Sequence, residues 1–172
     1  SVPIHALGVL GTIEQAQKHD RYDEVREVHA KVDQWILNYM QAAYDPEAHH
    51  LRSILLDGQD VTDLVFTEEA TLYGWGAQPG GSFRHRPVTP VFFAAVAQGF
   101  RLCSSPESKA HYWKLLRNLY RGAGLGDIGE NSRATPAFNY GAKARVEDGY
   151  VFGLSEIYRV TRAPETLRFM EH

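Results

Sequence analysis

The stretch TPVFFAAVAQGFRLCSSPESKAHYWKLLRNLYRG, Thr89 to Gly122, decides the fold. It opens on Thr-Pro, a cap followed by a residue suited to a first helical turn, where the N–H that proline lacks is not needed. VFFAAVAQGF is then apolar nearly all round, which predicts a helix buried on most sides. A short polar break follows, with Ser104 as cap and Glu107 three residues on, the pattern of a capping box. Tyr112, Leu115, Leu116, Leu119 and Tyr120 recur at spacings of three and four and predict the inner face of a second helix. Gly122 ends it. Two helices joined by a few polar residues make a helical hairpin.

The same pattern lies on either side. Pro3, Ile4, Leu7, Leu10 and Ile13 predict a first helix, and Lys18-His19-Asp20-Arg21 a polar connector. Val25, Val28, Val32, Trp35, Ile36, Tyr39 and Met40 predict a helix over about residues 21 to 43. Asp45-Pro46 stops it, because proline disfavours helical geometry in the residue before it. Beyond the central hairpin, a helix from Asp148 is expected to bury Val151, Leu154, Ile157 and Tyr158, and Pro164 opens a short helix carrying Leu167 and Met170. The connectors KHDRYDEV, SSPESKAHYW and TRAPETLRF look alike, which gives three hairpins at intervals too irregular for a strict repeat. From Leu51 to Phe66, LRSILL and VTDLVF flank Asp57-Gly58 and predict a small β-hairpin. The expected fold is mainly α, with helical hairpins of the (α/α)-toroid type, incomplete as a barrel. A small β-hairpin and two long Gly-rich loops complete one domain over residues 1–172.

Composition narrows the function. At 44% hydrophobic residues the chain can bury a core, and a net charge of -3 recruits neither nucleic acid nor an anionic membrane. The cations are 13 Arg against 5 Lys, and the planar Arg fork suits carboxylates. A single cysteine, Cys103, excludes an internal disulfide and reads as a small buried hydrophobe. No apolar run reaches the ~18 residues that span a bilayer. The start Ser1-Val2-Pro3 lacks the charged segment of a signal peptide; a chain without a starting Met is expected to be processed or a fragment.

Loops longer than ~12–15 residues are uncommon unless functional or disordered. The first here, YGWGAQPGGSFRHRP (Tyr73 to Pro87), offers the flat faces of Tyr73, Trp75 and Phe83 beside Arg84, His85 and Arg86. Aromatic faces suit sugar C–H surfaces and Arg forks suit carboxylates, which together describe a site for an acidic carbohydrate. The plainer alternative has the aromatics plugging the loop onto the body. The second loop, RGAGLGDIGENSRATPAFN, follows a helix rather than a strand, so its glycines do not make a nucleotide fingerprint. Asp127 in this loop is a candidate metal ligand or Arg orienter, and Arg121 and Asn139 are candidate sugar contacts. His85 with Asp127 or Glu130 could hold a divalent ion. His49 and His50 are adjacent and should point apart, a poor chelating pair. A hydrolase would need paired carboxylates across the cleft, for which Glu68, Glu69 and Asp127 are the only loop candidates.

The order LRSILLDGQDVTD, LYGWG, PVTPVFFAAVAQGFRL, YWKLLRNLYRGAGLGDIG, VFGLSEIYRVTRAPETL resembles that of pectate lyases of the periplasmic type, over roughly residues 20 to 172. The resemblance implies an (α/α) barrel and β-elimination on polygalacturonate, in the periplasm or outside the cell. It implies an arginine base and a divalent metal (Ca or Mn) held by histidine and carboxylate. Arg84-His85 is the Arg-His adjacency on a candidate loop, so base and ligand are expected there, with Arg86 lowering the base's proton affinity. Such a barrel needs more helices than this chain offers. The expectation is therefore a homo-oligomer or a missing remainder of the chain, since exposed apolar faces cost ~25 cal/mol per Å². A non-catalytic carbohydrate-binding or self-assembling module is the alternative.

Overall fold

A computed structural model describes residues 2–55, 57–65, 86–103, 105–123, 128, 148–164 and 166–167. Five helices account for most of them: α1 (Val2–Lys18), α2 (Arg26–Ala43), α3 (Pro90–Leu102), α4 (Pro106–Gly122) and α5 (Asp148–Thr161). A 3-10 turn, Tyr22–Glu24, links α1 to α2. Three two-residue strands, β1 (Tyr44–Asp45), β2 (His50–Leu51) and β3 (Arg86–Pro87), form one antiparallel sheet in that order. The mainly α architecture with a small β element is the expected one.

Helix α3 is the centre. Thr89 is extended (φ -94°, ψ 155°) and Pro90 presets the next φ, so the chain enters the helix directly. The Thr89 side chain makes no capping hydrogen bond. From Phe93 to Phe100 every residue is buried, as an all-round apolar helix requires. α3 packs on α5, α1 and α4, while α2 packs on α1 and α4. The odd helices lie side by side, and α2 and α4 cover them as partners of their hairpins. Phe93 sits against Gly153 of α5 and between the rings of Tyr120 and Tyr150, at 5.9 and 5.4 Å.

The hairpin connectors gather at one end. Arg101 reaches from α3 to Glu14 of α1, donating at 2.6 Å, and to Glu156 of α5. Glu156 is 1% exposed, a burial a carboxylate tolerates only with a cation beside it. Burial opposes the charge on Arg101, but Glu156 and Glu14 outweigh it and keep the guanidinium firmly protonated. Tyr112 of α4 donates to Asp33 of α2 at 2.7 Å, and the Tyr22 hydroxyl meets His29 Nδ1 at 2.9 Å. Cys103 is buried, as expected, and burial followed by the Asp33 charge raises its pKa.

Several expectations need correction. Val28 and Trp35 are 47% and 40% exposed, while His29 and Asp33 turn inward. Tyr22 and Tyr112 supply the hydroxyls that let those polar groups be buried, so the inner face is rotated from the apolar one. The cap of α4 is Ser105, which accepts from Ser108 N, so Glu107 falls one position short of a capping box. On α5, Leu154 and Ile157 are buried but Val151 is exposed and Glu156 takes an inner position. The hairpin around Asp57-Gly58 is present, with Ile54 bridged to Asp60, Val61 N donating to Ser53 O, and Gly58 at φ 91°. The ladder residues themselves come from β1, β2 and β3. The chain is helical again at Pro164, Thr166 and Leu167; Met170 lies outside the described residues.

Candidate functional site

The roots of both long loops lie at the end opposite the connectors. β1 continues directly from α2, and β3 leads into α3. β2 joins them: Tyr44 pairs with Leu51, and Leu51 with Arg86. The second loop leaves from α4, where Gly122 lies against the His49 ring so closely that a Cβ there would collide with Nδ1. It returns at α5, where a Cβ on Gly149 would come within 2.6 Å of the Pro90 backbone. These two glycines let one loop's anchors press on the other's.

His49 is the most constrained residue in this cluster. Its backbone is left-handed (φ 49°), which costs a non-glycine residue of order 1 kcal/mol or more and persists only where surrounding contacts impose it. Asp45 shapes the turn before it by accepting from Glu47 N at 3.0 Å and Ala48 N at 3.1 Å. The Ala48 amide, with that of Glu47, holds the Asp45 carboxyl below its ordinary pKa. The Tyr44 hydroxyl donates to the Asn118 carbonyl at 3.2 Å and lies 3.1 Å from His49 Nδ1. A hydroxyl has one proton, and a carbonyl can only accept. With the Tyr44 proton on that carbonyl, the consistent assignment has His49 Nδ1 donate to the Tyr44 oxygen and Nε2 keep its lone pair. Burial lowers the pKa of His49 and favours this neutral form. Burial, then Asp45 and Tyr150, push Tyr44 up to about 12, so its hydroxyl keeps its proton near neutrality.

Of the residues singled out in the sequence, Arg121 lies in the last turn of α4, one residue before Gly122. Arg86 lies in β3 with its backbone opposite Leu51. Both belong to this end. Tyr73, Trp75, Phe83, Arg84, His85, Asp127 and Asn139 lie outside the described residues. His49 and His50 have different neighbours, the first beneath Tyr44 and the second paired with Asp45 and Pro87 across the sheet. The adjacent histidines thus face different neighbours, and their adjacency in the sequence does not mark His49 as a presented nitrogen. No local spacing signals it, because its partners Tyr44, Asn118 and Gly122 converge through the fold. Among the described residues no group of three or more His, Cys, Asp or Glu could hold a metal ion.

A two-layer helical frame with its long loops rooted at one end is the architecture of a helical-hairpin protein. The chain belongs to the family described as periplasmic pectate lyase, whose profile it matches over residues 4–172. No curated protein matches it. The family's description places it in the periplasm, in line with the expectation. Among the described residues no helix is long and apolar enough to cross a membrane.

Proposed function

We propose that this protein cleaves polygalacturonate, or a related uronate polysaccharide, by β-elimination. The carrying observation is the family match across residues 4–172; the convergence of both loop roots on His49 and Pro90 supports it. In this reading Arg84 is the base. It removes the C5 proton of a uronate, the electron pair forms the C4–C5 double bond, and the C4–O bond breaks. The leaving oxygen takes a proton from solvent. An arginine base requires its charged form to be disfavoured, which the neighbouring cation Arg86 does. Tyr73, Trp75 and Phe83 supply stacking faces, and Arg121 and Asn139 supply polar contacts to the chain.

His85 and Asp127 would hold the divalent cation, Ca²⁺ or Mn²⁺. The donor types fit, since imidazole and carboxylate together suit such ions. His49 adds a lone pair at the same end of the frame. When bound, the cation neutralises the uronate carboxylate and makes the C5 proton easier to remove.

The test is ultraviolet absorbance of the unsaturated product from polygalacturonate with Ca²⁺ or Mn²⁺, for the native chain and for Arg84→Lys. The native chain should produce it and the variant should not. Absence of product from the native chain would overturn the reading in favour of a non-catalytic module. The observation that favours such a module is the exposure of Val151 and Phe152 on α5, a surface suited to self-association.

A further inference from the structure

A cavity of about 390 Å³ lies between the C-terminal halves of α2 and α4, in the size range of small-molecule sites. Its walls include Leu37, Gln41 and Tyr44 on one side and His111, Lys114 and Asn118 on the other. No Asp or Glu among the described residues lines it. The cavity beside it shares Leu37, Gln41 and His111 but carries Arg26, Asp33 and Glu107. The cavity nearer the loop roots thus sets Lys114 among neutral groups with no carboxylate facing it, whereas its neighbour mixes both signs. The ammonium of Lys114, the His111 ring and the amide heads of Gln41 and Asn118 enter no hydrogen bond or ion pair among the described residues.

We propose that this cavity is a second carbohydrate site, which takes one carboxylated sugar ring. Lys114 faces the carboxylate, the Gln41 and Asn118 amides donate to and accept from the hydroxyls, and Leu37 with Tyr44 covers a C–H face. Amides suit hydroxyls because each offers both donors and an acceptor. None of these residues belongs to the loop set assigned to the reaction. The choice of a uronate as ligand rests on the function proposed above. The adjoining cavity sets two carboxylates, Asp33 and Glu107, against one cation, Arg26, and so offers an acidic polymer no net attraction, which favours a single ring or a chain end as occupant.

The probe is galacturonate, which has no glycosidic bond to cleave, titrated into the ¹⁵N-labelled 172-residue chain and followed by amide chemical shifts. Shifts should centre on Gln41, Lys114 and Asn118, and galactose, which lacks the carboxylate, should bind about tenfold more weakly or worse. Lys114→Gln should weaken galacturonate by a similar factor with an unchanged melting temperature, and Lys114→Arg should retain it. Cleavage of polygalacturonate should be unaffected by Lys114→Gln. Shifts confined to other residues, equal binding of galactose, or indifference to Lys114→Gln would overturn the proposal. The two readings fail separately: a chain that cleaves polymer without these shifts loses the second site, and one that shows the shifts without cleavage loses the lyase activity.

Discussion

The two ends of the helical frame each hold a histidine against a tyrosine hydroxyl, and they use it differently. At the connector end His29 is 1% exposed, with Nδ1 on Tyr22 and Nε2 3.7 Å from Asp33, too long for a hydrogen bond. Its neighbours are helix faces, and the ring helps tie α2 to the turn before it. At the loop end His49 stands on a left-handed backbone beneath the Tyr44 hydroxyl, which is committed to the Asn118 carbonyl. That commitment fixes one tautomer and presents the other nitrogen. The lesson is that burial makes a histidine structural, whereas a hydroxyl already spent on a carbonyl makes it a directed acceptor. The connector end carries ion pairs that close the frame; the loop end carries anchors that aim a site.

The largest expected effect tests the connector end. Arg101→Met removes the cation shared by Glu156 and Glu14, leaving Glu156 to Arg159 and Glu14 to Lys18, and should lower unfolding free energy by about 3 kcal/mol, the lower end for breaking a buried pair, read by urea denaturation. The His49 ring signals should stay as in the native chain; if they move, the two ends are not independent. Next, Tyr112→Phe removes the donor to buried Asp33 and should cost about 1–3 kcal/mol by the same measurement. Gly122→Ala places a methyl group where His49 Nδ1 stands. It should cost about 1–3 kcal/mol through overpacking and shift the His49 ring signals, which Tyr112→Phe should not. Tyr44→Phe should cost only about 0.5–1.5 kcal/mol, yet the ring ¹⁵N shifts of His49 should change from one tautomer to a mixture. A single retained tautomer would break the assignment of Tyr44 as its keeper.

The smallest effect is in pH dependence. Burial depresses the His49 pKa below its ordinary 6.5, so the unfolded chain binds the proton first as pH falls. Between the ordinary value and the lower folded one, the unfolded state holds more protons and stability declines with falling pH. The contribution is complete above the ordinary value. His49→Gln should flatten that part of the stability profile, measured by denaturation at a series of pH values, and an unchanged slope would show that His49 does not set it.

The helix positions were legible because proline, serine and glycine mark the ends and apolar spacing marks the faces. Pro90, Gly122 and Asp148 bound helices where the sequence puts them. The face of α2 was misread at Val28 and Trp35 because apolar periodicity assumes that polar residues face water. His29 and Asp33 escape that rule through hydroxyls from Tyr22 and Tyr112, the latter 79 positions distant from Asp33. The cap of α4 was displaced by one residue because Ser104 and Ser105 are chemically alike, and only the backbone chooses between them. At the loop end, Arg86 and Arg121 were picked out from the residues around them. His49 was not, since its significance depends on where one tyrosine proton goes.

The helical hairpins, the central buried helix and the resemblance that the family match bears out can be read from the residues alone. All of these follow from local propensity and pattern, which neighbouring residues specify. Only the packing of the helices brings both loop roots to one end and sets a histidine there against a tyrosine hydroxyl. The same packing sets a cavity without carboxylates beside one that carries Asp33, Glu107 and Arg26. These depend on contacts between residues distant in the chain, and no local pattern encodes which distant groups will meet.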